Sequence, residues 1–327
     1  MKKSLFFTVF AILGLASCSK SEIEYDNQPQ EISLFAVNKV ATKAPVEGTI
    51  FPEGYKMMVA AYLAAGDGVP TGGRDYFTAT QFSKNGSYWT GGKYWPISAA
   101  TLNFLAVAPE VEDVVETTTP DSPFAAKSVT TVSGNEIWAT QYDVMYATAR
   151  ASKNAATPPA DVDMTFNHAY SWIEFTFRKS TSEPNITINN IKLYNVACNG
   201  TFTVNVNNYN SADNAYPLTV ANHTWSGYSL TDIVVPTDGS TFTLSTSAQP
   251  YFNGILLIPS QMNKFVINYT INDQTFDYTY IPATSDWTAG TKYIYNITMT
   301  PSLIQVDPTV TTWDNNETNM ELDTPTP

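Results

Sequence analysis

Short runs with the composition of β-strands dominate this chain of 327 residues. Residues 172–178 alternate apolar with polar side chains for most of their length, and residues 293–299 are rich in Ile and Tyr, as is typical of half-buried strands. Residues 265–271 and 275–280 form two further runs, and the polar residues 272–274 between them predict a hairpin turn. No stretch shows the periodicity of an amphipathic helix. Many short strands with frequent turn signals predict an all-β fold built of β-sandwiches.

The length predicts two domains, at about 150 residues per domain. Residues 153–160 have no periodicity and contain two adjacent prolines, so they are the predicted linker. We therefore expect an N-terminal β-sandwich domain over residues 31–152 and a C-terminal one over residues 161–327.

The N-terminal segment has the pattern of an exported lipoprotein. A basic pair precedes about a dozen apolar residues, too few for the ~20 that span a bilayer. The run ends in Leu-Ala-Ser-Cys at residues 15–18, which resembles a bacterial lipobox. We expect residues 1–17 to be a signal peptide, Cys18 to carry the acyl chains that anchor the protein in the outer membrane, and residues 18–30 to be a tether. The alternative is a plain secretory signal with an incidental cysteine.

Charge and motifs argue against several functional classes. The net charge of −13 argues against nucleic acid as a partner, because phosphates need a basic surface. No nucleophile motif or zinc-protease motif accompanies the two histidines. His168 is interpreted as a structural imidazole, Asp143 as a strand-start or turn residue, and Cys198 as a small buried side chain. We expect no enzymatic activity, no metal and no cofactor.

Several motifs also follow one another in a characteristic order. They are the lipobox at Cys18 and residues 32–37, 42–45, 94–96, 102–109, 142–147, 166–169, 287–297 and 313. Together they resemble the fimbrillin-like family, the type V pilins and pilus-associated lipoproteins of Bacteroidetes. The resemblance covers nearly the whole chain that follows the signal peptide.

This resemblance implies two transthyretin-like β-sandwich domains in tandem and a non-catalytic structural or adhesive role in a pilus at the cell surface. It implies cleavage by a trypsin-like surface protease between Lys43 and Ala44, which would remove Cys18 and the first strand. The strand residues removed would be Ile32, Leu34, Phe35 and Val37. The expected partners are other pilin subunits, the outer-membrane lipid before cleavage, and a host or bacterial surface ligand.

Loss of a strand would leave unpaired backbone groups and an apolar groove, which another strand can fill. Residues 303–313 are the candidate donor strand for a neighbouring subunit, because Ile304, Val306 and Val310 share one parity and would point the same way. Pro308 lies between them and suits a strand edge or a break. The alternative is that residues 303–313 are the last strand of the second domain.

A surface glycan-binding lipoprotein that keeps its lipid is the alternative function. Trp89, Tyr94 and Trp95 offer a cluster of rings on which sugars can stack. Packing of the same rings in the core or at the edge of a sandwich is the simpler explanation of the cluster.

Overall fold

The structure is a computed structural model that describes most of the chain after residue 28. The described residues are 29–37, 51, 56–63, 74–98, 100–109, 114–116, 124–128, 143–154, 161–182, 184–197, 200–205, 222–236, 240–252, 254–261, 264–282 and 286–312. Every regular element within these ranges is a β-strand, which confirms the all-β prediction. In this part of the chain no helix has the length and apolar character needed to cross a membrane.

The strands are numbered in chain order. The first part of the chain contains β1 (Leu34–Val37), β2 (Lys56–Leu63), β3 (Arg74–Asn85), β4 (Tyr88–Thr90), β5 (Ala100–Ala108), β6 (Val114–Glu116), β7 (Phe124–Ser128), β8 (Met145–Lys153), β9 (Val162–Thr165) and β10 (Asn167–His168). The second part contains β11 (Ser171–Lys179), β12 (Ile186–Val196), β13 (Gly200–Asn205), β14 (Asn222–Ser226), β15 (Thr231–Val235), β16 (Phe242–Thr243), β17 (Gln249–Pro250), β18 (Ile255–Leu257), β19 (Lys264–Ile271), β20 (Gln274–Tyr280), β21 (Thr291–Met299) and β22 (Ile304–Thr312).

Eight strands of the first part form one sheet in the order β10-β8-β5-β2-β3-β4-β1-β9. Neighbouring strands are antiparallel, except that β1 and β9 run parallel. The strands at the two ends of this order, β9 and β10, are separated in sequence only by Phe166. The sheet therefore curls back on itself and encloses the first core, which includes Met57, Phe82 and Phe104.

The second part forms two five-stranded sheets that face each other. One has the order β17-β11-β21-β22 with β18 also paired to β11, and the other has the order β15-β12-β19-β20 with β16 also paired to β12. Both sheets contribute to the second core, in which the ring of Phe175 from β11 meets that of Phe265 from β19 edge to face, with centroids 5.1 Å apart. This arrangement is a β-sandwich, as the strand pattern predicts.

The predicted hairpin turn is confirmed. Strands β19 and β20 pair antiparallel, and Ile271 lies opposite Gln274 at the closed end. Between them Asn272 and Asp273 have φ angles of 49° and 61°. Two consecutive positive φ angles define a type I′ turn, whose twist matches that of the flanking strands.

A smaller sheet connects the two parts of the chain. Its order is β14-β13-β7-β6, so that β7 from the first part pairs with β13 from the second. A third core also draws on both parts, and in it the rings of Tyr146 and Phe202 lie 5.5 Å apart. Strands β9 and β10 belong to the first sheet although they follow residues 153–160. The division into tandem domains at residues 153–160 stays a prediction.

The second core contains a tyrosine whose ionisation opposes folding. Burial raises the pKa of Tyr295 to about 12, although Trp287 Nε1–H donates a hydrogen bond of 3.2 Å to its hydroxyl. A tyrosine in the unfolded chain has a pKa of about 10. As the pH rises, the unfolded state therefore loses this proton before the folded state does, and the free energy of unfolding falls between about pH 10 and 12. We expect this fall to be about 2 kcal/mol smaller in Tyr295→Phe. Urea unfolding between about pH 8 and 12 measures it.

Tyr228→Phe is the matched control, because the Tyr228 ring is exposed. We expect this variant to follow the wild-type pH dependence. At neutral pH, Tyr295→Phe loses about 1 kcal/mol with the hydrogen bond from Trp287. If the free energy of unfolding fell equally at alkaline pH in the wild type and in Tyr295→Phe, the raised pKa of Tyr295 would be contradicted.

Candidate functional site

Residues 30–37 lie inside the first sheet, between β4 and β9. Leu34 pairs with Trp89 of β4 in antiparallel register and with Val162 of β9 in parallel register. The Val162 N–H also donates to the Ser33 carbonyl at 3.0 Å. The strand whose removal the sequence analysis predicts is therefore an interior strand of the sheet.

The residues that precede β1 continue this pairing on the β4 side. The Ile32 N–H donates to the Lys93 carbonyl at 2.7 Å, and the Trp95 N–H donates to the Gln30 carbonyl at 2.8 Å. Residues 30–37 thus satisfy backbone groups on both flanks. Their loss would leave these donors and acceptors without protein partners.

Side chains of this segment alternate between the core and the surface. Ile32 and Leu34 are fully buried, whereas Phe35 is 38% exposed and meets Tyr88 on the outside, with ring centroids 6.4 Å apart. Of Val37, only the backbone pairing with β9 is described. The predicted set of strand residues therefore divides into core-facing and outward-facing members.

Aromatic side chains line the core that Ile32 and Leu34 enter. Phe51 meets Trp89 and Phe166 edge to face, with centroid distances of 5.0 and 5.3 Å. All five side chains belong to the first core. Since full burial of an Ile or Leu side chain contributes about 1.5–3 kcal/mol, apolar contacts as well as hydrogen bonds hold the strand in place. Its removal would open an apolar groove.

Three predicted site residues, Cys18, Lys43 and Ala44, lie outside the described residues. Strand β1 ends at Val37 and so precedes Lys43 in the chain. Cleavage after Lys43 would therefore separate the whole of β1 from the rest of the polypeptide.

The candidate donor residues lie in β22, which forms one edge of the second sandwich. Among the described strands, only β21 pairs with it. Ile304 and Val306 are partly buried against the second core, whereas Val310 is 59% exposed. Residues 304–312 are thus the last of the described strands and pair within their own chain, and a donor role for them stays a prediction.

The structure brings together Asp143 and His168, two residues with separate predicted roles. Asp143 Oδ2 lies 2.9 Å from His168 Nδ1, and both side chains are buried. His168 also pairs through its backbone with Met145 at the start of β8. The contact holds β10 against the segment that leads into β8, which fits a structural role. No sequence signal links the pair, because 25 positions separate them and no motif joins them.

No metal site is found in the described ranges, where no three His, Cys, Asp or Glu side chains lie close enough together to hold an ion. The proposed sugar platform is also not formed. Trp89 and Trp95 are 1% and 4% exposed and belong to the first core, and only Tyr94 faces solvent. The aromatic cluster is core packing.

The family model for fimbrillin-like proteins matches residues 42–313. The chain belongs to the fimbrillin-like family. The match begins beside Lys43 and leaves β1 outside it. No curated protein matches this fimbrillin-like chain.

Two solved structures share the fold of this fimbrillin-like protein. A candidate cell adhesion protein from Bacteroides uniformis is 17% identical, with a TM-score of 0.52 over 86% of this chain and 98% of the other. A candidate cell adhesion protein from Bacteroides ovatus is 16% identical, with a TM-score of 0.51 over 88% of this chain and 98% of the other. At this level of identity the likeness concerns the fold alone.

Two adjacent side chains of β1 provide a test of the groove. Leu34→Ala removes a fully buried side chain and should lower the free energy of unfolding by about 2–5 kcal/mol. Phe35→Ala changes the outward face of the same strand and should cost less than about 1 kcal/mol. Urea unfolding of the full chain measures both values. Equal losses would show that the core does not hold β1.

Proposed function

We propose that this chain is a non-catalytic structural or adhesive subunit of a type V pilus. It is exported as a lipoprotein anchored through Cys18, trimmed after Lys43 by a trypsin-like surface protease, and assembled with other pilin subunits by donor-strand exchange. The position of β1 carries the proposal, because this strand lies between β4 and β9 and stands at the end of the chain that cleavage would remove. The fimbrillin-like match over residues 42–313 supports it.

The acceptor is the groove that β1 occupies. After cleavage, the N–H groups of Trp95 and Val162 and the carbonyl of Lys93 would lack their partners, and the slots of Ile32 and Leu34 would be empty. Unpaired edges beside an apolar groove bind an added strand strongly, since backbone hydrogen bonds form together with side-chain burial. An incoming strand needs apolar residues at alternate positions.

Strand β22 has this pattern in Ile304, Val306 and Val310. As an edge strand it would break only one ladder, that with β21, on leaving its sheet. The exposed Val310 side chain contributes little to the stability of the monomer. Its apolar character, in parity with Ile304 and Val306, would matter only in a groove. In the assembled pilus, residues 303–313 would leave β21 and enter the groove of the next subunit.

Cleavage is tested with two lysine variants on the native cell surface. We expect wild-type protein to run as a ladder on a denaturing gel without boiling, and to collapse on boiling to one band that begins at Ala44. Lys43→Ala should give a single unpolymerised band, because β1 stays in its groove. Lys39→Ala, the nearby control, should give the wild-type ladder.

A ladder from the Lys43→Ala variant would contradict cleavage at this site. A single wild-type band that keeps its lipid at Cys18 would contradict both the trimming and the donor-strand assembly.

Donor-strand exchange is tested in β22 with two variants of equal charge. Val310→Lys places a cation on the parity that enters the groove and should abolish the ladder. Gln305→Lys changes an exposed side chain of the other parity and should leave the ladder intact. Because Val310 and Gln305 are both exposed, neither substitution should change the free energy of unfolding of the monomer by more than about 0.5 kcal/mol. Thermal unfolding measures this. A normal ladder from Val310→Lys would rule out these residues as the donor.

A further inference from the structure

Strand β20 forms the outer edge of the second sandwich. It follows β12 and β19 at the end of its sheet, and within the described part of the chain no strand pairs with its other side. It is seven residues long and contains no proline. An edge of this kind presents a row of backbone donors and acceptors that another strand can use.

The hairpin register identifies which backbone groups face outward. In a two-residue turn the closing pair, here Ile271 and Gln274, exchanges both hydrogen bonds, and such pairs alternate along an antiparallel ladder. Residues 274, 276, 278 and 280 therefore bond to β19. The N–H and C=O groups of Thr275, Asp277 and Thr279 point away from β19, toward an added strand.

The inner face of β20 is aromatic. Phe276 is 44% exposed and stacks on Tyr269 with centroids 5.6 Å apart, and Tyr280 lies 4.9 Å from Phe265. Tyr278 packs partly buried against the second core. An added strand would extend this aromatic row, so its residues on the inner face need to be apolar.

The outer face of β20 is polar and acidic. Thr275, Asp277 and Thr279 are exposed, and the Asp277 carboxylate accepts a hydrogen bond of 2.6 Å from Asn268 Nδ2–H. Strands β20 and β22 together contain two aspartates and no basic residue. Residues 313–327 add four acidic residues and no basic one. A partner residue opposite Asp277 is therefore favoured when it is basic.

The position of Asp277 disfavours a second copy of this chain. Asp277 is the central residue of β20, so a two-fold antiparallel pairing in which all seven residues of both edges overlap would place the two carboxylates opposite each other. Like charges in directly opposed positions destabilise a strand pair. The same charge disfavours β22 and the residues after it as occupants.

We infer that the open edge of β20 binds an extended strand of a different polypeptide by β-augmentation. The partner strand alternates apolar residues, which cover Phe276 and Tyr278, with polar residues that include a Lys or Arg opposite Asp277. Up to three residues of β20 supply both an N–H and a C=O to it, namely Thr275, Asp277 and Thr279. This surface is separate from the groove of β1 and does not depend on cleavage or polymerisation.

The test uses the purified full chain and two labelled nine-residue peptides, one alternating valine with lysine and one alternating valine with glutamate. Fluorescence anisotropy should show binding of the lysine peptide and binding at least about fivefold weaker of the glutamate peptide. Asp277→Lys should reverse this preference. The control Asp163→Lys, an exposed residue of β9 with the same charge change, should behave as the wild type.

A lysine peptide N-methylated on alternate residues keeps its charge but loses hydrogen-bond donors, and it should not bind. Three results would overturn the inference. One is equal binding of the N-methylated peptide, and another is equal weakening by Asp163→Lys, since each would show binding by charge alone. The third is a wild-type dimer in sedimentation that Asp277→Lys dissociates, since it would place a second copy on β20.

Discussion

Backbone hydrogen bonding by one short segment, residues 30–37, holds the first sheet together between β4 and β9. Among the described strands, β9 lies at one end of the sheet order and forms its ladder with β1. The same segment fills the core with Ile32 and Leu34 against Phe51, Trp89 and Phe166. Hydrogen bonding and apolar burial thus depend on residues that precede the family match, which begins at residue 42. A strand of this kind is best exchanged for another strand, since water can satisfy the backbone groups but cannot fill the apolar groove.

The second sandwich differs, because among the described strands both of its sheets are built from residues 171–312 alone. Its open edges differ in chemistry. Strand β22 carries Pro308, which has no N–H to offer, and β20 carries the outward-facing Asp277 at its centre. Proline and charge are two devices by which edge strands avoid uncontrolled pairing. An edge with a single charge still accepts a partner strand of opposite charge. Strand β20 would therefore select its partner by charge, whereas Pro308 interrupts the row of backbone donors on β22.

The two parts of the chain are joined by main-chain pairing as well as by side chains. Strand β7 pairs with β13, and the third core places Tyr146 against Phe202. Asp143 and His168 add a buried contact at the start of β8. In the proposed polymer, force enters through the groove of the first part and leaves through β22 in the second. This junction would carry that force within each subunit, and a continuous sheet resists it better than a flexible linker would.

Much of the fold follows from local sequence. Alternation with period two marks strands such as residues 172–178, and the Asn272-Asp273 turn is readable because positive φ angles favour those residue types. The motif order was sufficient to indicate the fimbrillin-like family. Local sequence did not indicate the partner of each strand or the contact between Asp143 and His168. Every residue except proline offers the same backbone donor and acceptor, so pairing across long sequence separations leaves no local mark. The sequence by itself determined where strands form and which side chains alternate. The tertiary structure decided that β1 is an interior strand and that β20 is an edge strand among the described residues, because both depend on pairing between segments that are distant in sequence.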